Sequence, residues 1–187
     1  MGNNPILKND PFGDTVIVLS APKGAHGTGH MAILIQDKDG KYSLWSKNGT
    51  NQSSGLSGRN DKDDKGTLKF KSPSEFMKSK FNPVVNAKTG EREYKGGFKI
   101  ETTAKEDRGA EAGATKELNK DYKVLGSNCA KTVQSALVGA GQKDGSSSLT
   151  SKVASYMLSP IAGVANDETP NAIYDRIKDQ NDGPLIY

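Results

Sequence analysis

The chain has 187 residues, 26% of them charged and 33% apolar, with a net charge of +4. That length suits one domain with one core. Lysines and carboxylates are interspersed along the chain, which leaves no clustered basic footprint of the kind nucleic-acid binding needs. No apolar run approaches the roughly 20 residues that span a bilayer, so stable membrane insertion is not expected.

Residues 1–14 read as a polar lead-in, and 15–187 as a single domain. The start MGNNPILKNDPFGD has neither the basic nor the apolar region of a secretory signal. DTVIVLSAP then predicts a short buried strand over Val16, Ile17, Val18 and Leu19, ended by Pro22, and KGAHGTG a glycine-rich loop. HMAILIQDKDGKYSLWSKNG predicts a β-hairpin, because two apolar runs flank Asp39-Gly40. TNQSSGLSGRNDKDDKG, from Thr50 to Gly66, is expected to be a long polar loop.

SPSEFMKSKF carries helix-start signals: Ser72 as cap, Pro73 in the first turn and Glu75 at capping-box spacing. PVVNAKTGEREYKGGFKIETT predicts strands around a Lys-Thr-Gly turn. AKEDRGAEAGATKELNK places Ala110, Ala114 and Leu118 on one helical face, with Thr103 as a cap. Gly109 and Gly113 weaken that helix by about 1 kcal/mol each relative to alanine. DYKVLGSN is a strand candidate. CAKTVQSALVGAG is a helix with Ala130, Val133, Leu137 and Ala140 on one face, ended by Gly139 or Gly141. A Ser-rich loop follows. VASYMLSPIAGVA reads as a helix broken at Pro160 or a loop with apolar anchors, and TPNAIYDRIKDQ as a last helix. Strands and helices do not alternate regularly, so the expected class is α+β.

The only cysteine, Cys129, stands in the first turn of its helix, behind Asn128 or Ser127 as cap. The helix dipole and free N–H groups there favour thiolate, the form that attacks a carbonyl. The alternative is an unreactive, buried thiol. A nucleophilic cysteine needs a base, and only His26 and His30 are available. His30 opens the strand MAILI and is better fixed than His26 inside the glycine loop. If Lys38-Asp39-Gly40 is a three-residue turn, His30 faces Asn48, whose amide oxygen can hold the imidazole tautomer. With a two-residue turn, Lys47 falls beside His30 as a poor orienter, and Ser46 is the fallback. A zinc site on His26, His30 and Cys129 is disfavoured, because HGTGH does not suit the helix that its spacing needs, so no metal or cofactor is expected. The loop also lacks the Lys-Ser/Thr ending of a phosphate-binding loop, and there is no G-x-S-x-G for serine hydrolysis.

A histidine heading a hairpin in GHMAILIQDKDGKYSLWSKNGT, then FKIETT, a helix, YKVLGSNCAKTV and a late TPN at 169–171 together resemble circularly permuted papain-like (NlpC-type) thiol hydrolases. The likeness is greatest to the domains that end Rhs-repeat proteins and related bacterial secreted effectors. It runs in patches from Thr15 to Lys178, and NDPFGD is similar to the sequence that closes Rhs cores. The resemblance implies Cys129 as nucleophile, His30 as base and position 48 as orienter, where relatives carry acidic residues and this chain has Asn48. Ala130 departs from the Glu-His of lecithin-retinol-acyltransferase-like relatives, which disfavours lipid acyl transfer. The implied fold is papain-like, with an antiparallel sheet carrying the histidine and the cysteine helix packed on it. The implied activity is amide hydrolysis, on peptide or peptidoglycan substrates, by a toxin made in the bacterial cytoplasm. Export by a specialised secretion system and a cognate immunity protein are implied too. The alternatives are the same dyad acting as a protein deamidase, ubiquitin-like protease or lipid acyltransferase, or a non-catalytic binding module.

Overall fold

The computed structural model describes residues 14–24, 29–48, 57–58, 63–123, 126–146 and 169–186. Its centre is a five-stranded antiparallel sheet of order β5-β3-β2-β1-β8. The strands are β1 (Thr15–Ala21), β2 (His30–Gln36), β3 (Tyr42–Ser46), β5 (Asp64–Phe70) and β8 (Gly96–Glu101). Two small pairs accompany it: β4 (Ser57–Gly58) with β9 (Tyr122–Lys123), and β6 (Val84–Asn86) with β7 (Glu91–Arg92). The helices are α1 (Pro73–Lys78), α2 (Ala104–Leu118), α3 (Cys129–Gly139) and α4 (Pro170–Asn181). The architecture is α+β.

β1 and β2 are almost wholly buried because both faces of the sheet are covered. On one face Val16, Val18, Met31, Ile33 and Ile35 meet Ala110, Ala114, Val133, Leu137, Ile173 and Ile177 of α2, α3 and α4. On the other, Ile17, Leu19, Ala32, Leu34 and Leu44 meet Phe70, Phe76 and Tyr94. This double burial explains the unbroken apolar runs in these strands, where a half-exposed strand would alternate.

The hairpin closes through a three-residue turn. Asp37 N donates to Lys41 O (2.7 Å), Gly40 sits at φ 73°, and Gln36 pairs with Tyr42. The α2 start is a capping box between Thr103 and Glu106. Gly141, at φ 73°, terminates α3, with Gln142 N donating back to Leu137 O (2.8 Å). Gly139 does a different job. A Cβ on Gly109 would run into the Gly139 carbonyl, and one on Gly113 into the Ser135 carbonyl. The glycines that weaken α2 locally are therefore what lets α2 and α3 touch backbone to backbone.

Three expectations change. The segment from Thr50 to Gly66 is not all loop: Ser57–Gly58 pairs with β9, and β5 begins at Asp64. β5 is an edge strand with alternating exposure and a register shift against Ser43 and Trp45, so it carries few apolar residues. Asp14 belongs to the fold rather than to a lead-in, being buried with its carbonyl accepting from Thr102 N (3.0 Å). DYKVLGSN forms a strand only at Tyr122–Lys123 among its described residues. The reading of 153–165, residues 1–13 and His26 lie outside the described residues.

Candidate active site

His30 is the first residue of β2, opposite Ala21 of β1. The chain enters it through Gly29 at φ 95°, a conformation that side chains other than glycine's rarely adopt. Asn171, from the first turn of α4, fills the space where a Gly29 Cβ would lie and donates from Nδ2 to Pro22 O (3.1 Å). On the other side Gly24 backs directly onto His30, since a Cβ there would lie 2.6 Å from the His30 Cβ. Tyr94 stands beside the ring, centroids 5.9 Å apart.

A chain of hydrogen bonds then sets the tautomer. His30 Nε2 lies 3.0 Å from Ser46 Oγ. Ser46 Oγ donates to Asn48 Oδ1 (2.8 Å), and Asn48 Nδ2 donates to Asp64 Oδ2 (3.0 Å). Asn48 is held further by its own N–H on Asp63 Oδ1 (2.9 Å). With its proton directed at Asn48, Ser46 has only lone pairs for the ring, so Nε2 carries the hydrogen. Nδ1 is left to face the cysteine. The three-residue turn thus puts Ser46 and Asn48 on the histidine's side of the sheet, but the contact with the ring is made by Ser46. Asn48 acts one step back, through the serine.

Cys129 opens α3, only 5% exposed. The preceding turn is shaped by Gly126 at φ 126° and by Lys123 N donating to Ser127 O (2.8 Å). Asn128 caps the helix by accepting from Lys131 N (3.0 Å). Burial is the largest influence on the thiol and raises its pKa. The His30 charge, the hydrogen bond to His30, and the N–H groups of Met31 and Ala130 together outweigh burial and hold the thiol below its ordinary value. His30 mirrors this. Burial lowers its pKa, but the charge and hydrogen bond of Cys129, then Glu93 and Asp64, raise it above the ordinary value. The pair is biased toward thiolate and imidazolium.

A residue that sequence reasoning set aside ties the two halves together. Lys47 lies between Ser46 and Asn48 but points to the helix side of the sheet, with no exposure at all. Its Nζ donates to Glu117 O, Lys120 O and Ser127 Oγ, each at 2.7 Å. Three donors meet three acceptors, two of them carbonyls at the end of α2, where a cation suits the helix dipole. Burial lowers its pKa, with Glu117 and Asp63 opposing. The third acceptor is two residues before Cys129, so the hairpin bearing His30's partners also holds the loop that leads into Cys129. A lysine directly after the strand, next to the candidate orienter, was the available signal.

Among the described residues no group of three or more His, Cys, Asp or Glu side chains is placed to hold a metal ion, and no helix is long and apolar enough to cross a membrane. The chain matches no family model, no curated protein and no solved structure.

Proposed function

We propose that the chain is a cysteine-dependent amide hydrolase of papain-like, NlpC-type design. The observation that carries this reading is the placement of Cys129 and His30 near enough for each to govern the other's charge, with His30 Nε2 held 3.0 Å from Ser46 Oγ. A buried cysteine that served only as filler needs neither a partner histidine nor backbone N–H groups aimed at its sulfur. The architecture supports the reading as well, with the cysteine at the start of a helix packed on an antiparallel sheet whose second strand begins with the histidine.

In the proposed reaction the Cys129 thiolate attacks the substrate carbonyl. The tetrahedral oxyanion takes hydrogen bonds from N–H groups at the start of α3, Cys129's own among them. His30 gives the Nδ1 proton to the leaving amine, the C–N bond breaks, and a thioester remains. Water then adds to the thioester carbonyl while Nδ1 takes its proton. The C–S bond breaks, releasing the acid and restoring the thiolate–imidazolium pair. Ser46, Asn48 and Asp64 hold the ring through both steps. The sequence resemblance points to peptidoglycan peptides as substrate, and to a secreted bacterial effector with a cognate immunity protein.

The test pairs chemistry with titration. Cys129→Ala and His30→Ala are expected to abolish release of amines from peptidoglycan stem peptides. In the intact chain, iodoacetamide should react with Cys129 at pH values below those of a free thiol. In His30→Ala, where burial acts on the sulfur without its counter-charge, the profile should move to higher pH. Hydrolysis should follow a bell, rising as Cys129 loses its proton and falling as His30 loses its own. Undiminished hydrolysis by Cys129→Ala would overturn the reading, as would an ordinary thiol profile in the intact chain.

A further inference from the structure

A cavity of about 280 Å³ lies where β2 ends, bounded also by the residue before β1 and by the first turns of α2. It is about 20 Å along β2 from His30 and shares no residue with the dyad. One group on its wall lacks a partner. Asp107 is only 4% exposed. Its Oδ1 accepts from Thr102 Oγ1 (2.6 Å), but its buried Oδ2 has no hydrogen-bond partner. A bare carboxylate oxygen out of water is costly, and folded proteins leave few such atoms without a water, an ion or a ligand to meet them.

The charge around that oxygen sets what can meet it. Asp14 and Glu111 share the wall, and their charges act on the Asp107 carboxyl. Asp37, the fourth carboxylate, is engaged by Lys69 Nζ (2.9 Å) and by the N–H groups of Asp39 and Lys41 (3.0 Å each). Lys38 and Arg108 border the cavity too, but both are exposed and neither reaches Oδ2. A cation is therefore the complement of this wall. Among the described residues no cluster is placed to hold a metal ion. An ammonium has three donors and takes acceptors from several directions, here from the start of β1 and from successive turns of α2. Lys47 is held by the same chemistry, its three N–H groups on three oxygens. A planar guanidinium suits paired, coplanar acceptors instead.

We propose that this cavity is a binding site for a primary alkylammonium group, from a free amine or a lysine side chain, with Asp107 Oδ2 as its chief acceptor. The site stands apart from the hydrolase reading, and its test requires no turnover. Binding is measured by amide chemical shifts on the full-length protein at constant ionic strength. The titration is run at about pH 8, where most of the Asp107 carboxyl is ionised. Putrescine stands for the free amine, Nα-acetyl-lysine methylamide for the side chain, and butanediol is the uncharged control. An amine should shift the resonances of Gln36, Thr102 and Asp107, and the diol should not. The tighter of the two amines identifies the source. Asp107→Asn keeps the oxygen that Thr102 bonds, and should weaken binding on the order of tenfold or more. Glu111→Gln should weaken it less. Asp179→Asn, at an exposed position on α4, should leave it unchanged. Absence of these shifts with both amines, undiminished binding in Asp107→Asn, or an equal loss in Asp179→Asn would overturn the proposal. Equally tight binding of magnesium or guanidinium would overturn the assignment to an ammonium.

Discussion

Replacing Lys47 by methionine removes a cation while leaving an unbranched chain of similar length in its place. The structure sets the size of the effect. Lys47 is fully buried and its three N–H groups meet three acceptors at 2.7 Å, the carbonyls of Glu117 and Lys120 and the hydroxyl of Ser127. A buried acceptor left without a donor costs about 1–3 kcal/mol, and of the three the Glu117 carbonyl still accepts from Lys120 N (3.1 Å). Against that, the fold no longer has to desolvate an ammonium, a cost visible in the lowered pKa of Lys47. The Ser127 hydroxyl can also turn toward another partner. The net loss is expected to be about 2–4 kcal/mol. Urea unfolding followed by Trp45 fluorescence measures it as a lower midpoint at unchanged slope. The same variant should slow iodoacetamide attack on Cys129, because the loop holding the thiol against His30 loses its tie to the hairpin. A loss under about 1 kcal/mol would show that the buried lysine is neutral in balance and that the tie is not what holds the loop.

Three further substitutions probe the support of the imidazole and a buried carboxyl. Ser46→Ala takes away the imidazole's direct partner and the hydroxyl that donates to Asn48 Oδ1, so kcat on a stem peptide should fall on the order of a hundredfold. Asn48→Ala should cost less, and the reverse order would show that Asn48 reaches the ring itself. Asp107 has its pKa pushed up to about 7, by burial first and then by Asp14, Glu111 and Glu106, against the hydrogen bond from Thr102. The folded state thus favours its protonated form, and the associated stability declines as pH rises from the ordinary 3.8 toward about 7. Asp107→Asn keeps the oxygen that Thr102 bonds and is expected to raise Tm above neutral pH while changing little near about pH 4. A lower Tm for Asp107→Asn in mild alkali would contradict the assignment.

Much of this molecule is legible locally. Gly40 closes the hairpin because the turn needs a positive φ after Lys38 and Asp39. Thr103 with Glu106, Ser72 with Glu75, and Asn128 start helices because their side chains reach N–H groups only three residues on. The apolar faces of α2, α3 and α4 repeat at helical spacing, and the α+β class follows from their order. The hairpin also made His30 the better base, by fixing it at a strand start.

What the local signals could not settle depended on neighbours distant in the chain. The start of β5, Asp64–Gly66, reads as loop because an edge strand with a bulge needs little apolar surface, and it is a strand only because β3 offers it a ladder. Gly109 and Gly113 read as flaws until α3 lies against them. Ser46, Lys47 and Asn48 are consecutive polar residues with no order of importance in sequence. Strand alternation sends the two outer ones toward the imidazole and Lys47 toward the cysteine loop, and packing then decides that the serine touches the ring. The sequence by itself determined most of the elements and supplied one thiol, with His30 the better fixed of two candidate bases. Tertiary structure alone brought thiol and imidazole together, where the imidazole's charge and the N–H groups of Met31 and Ala130 outweigh the burial that opposes a thiolate.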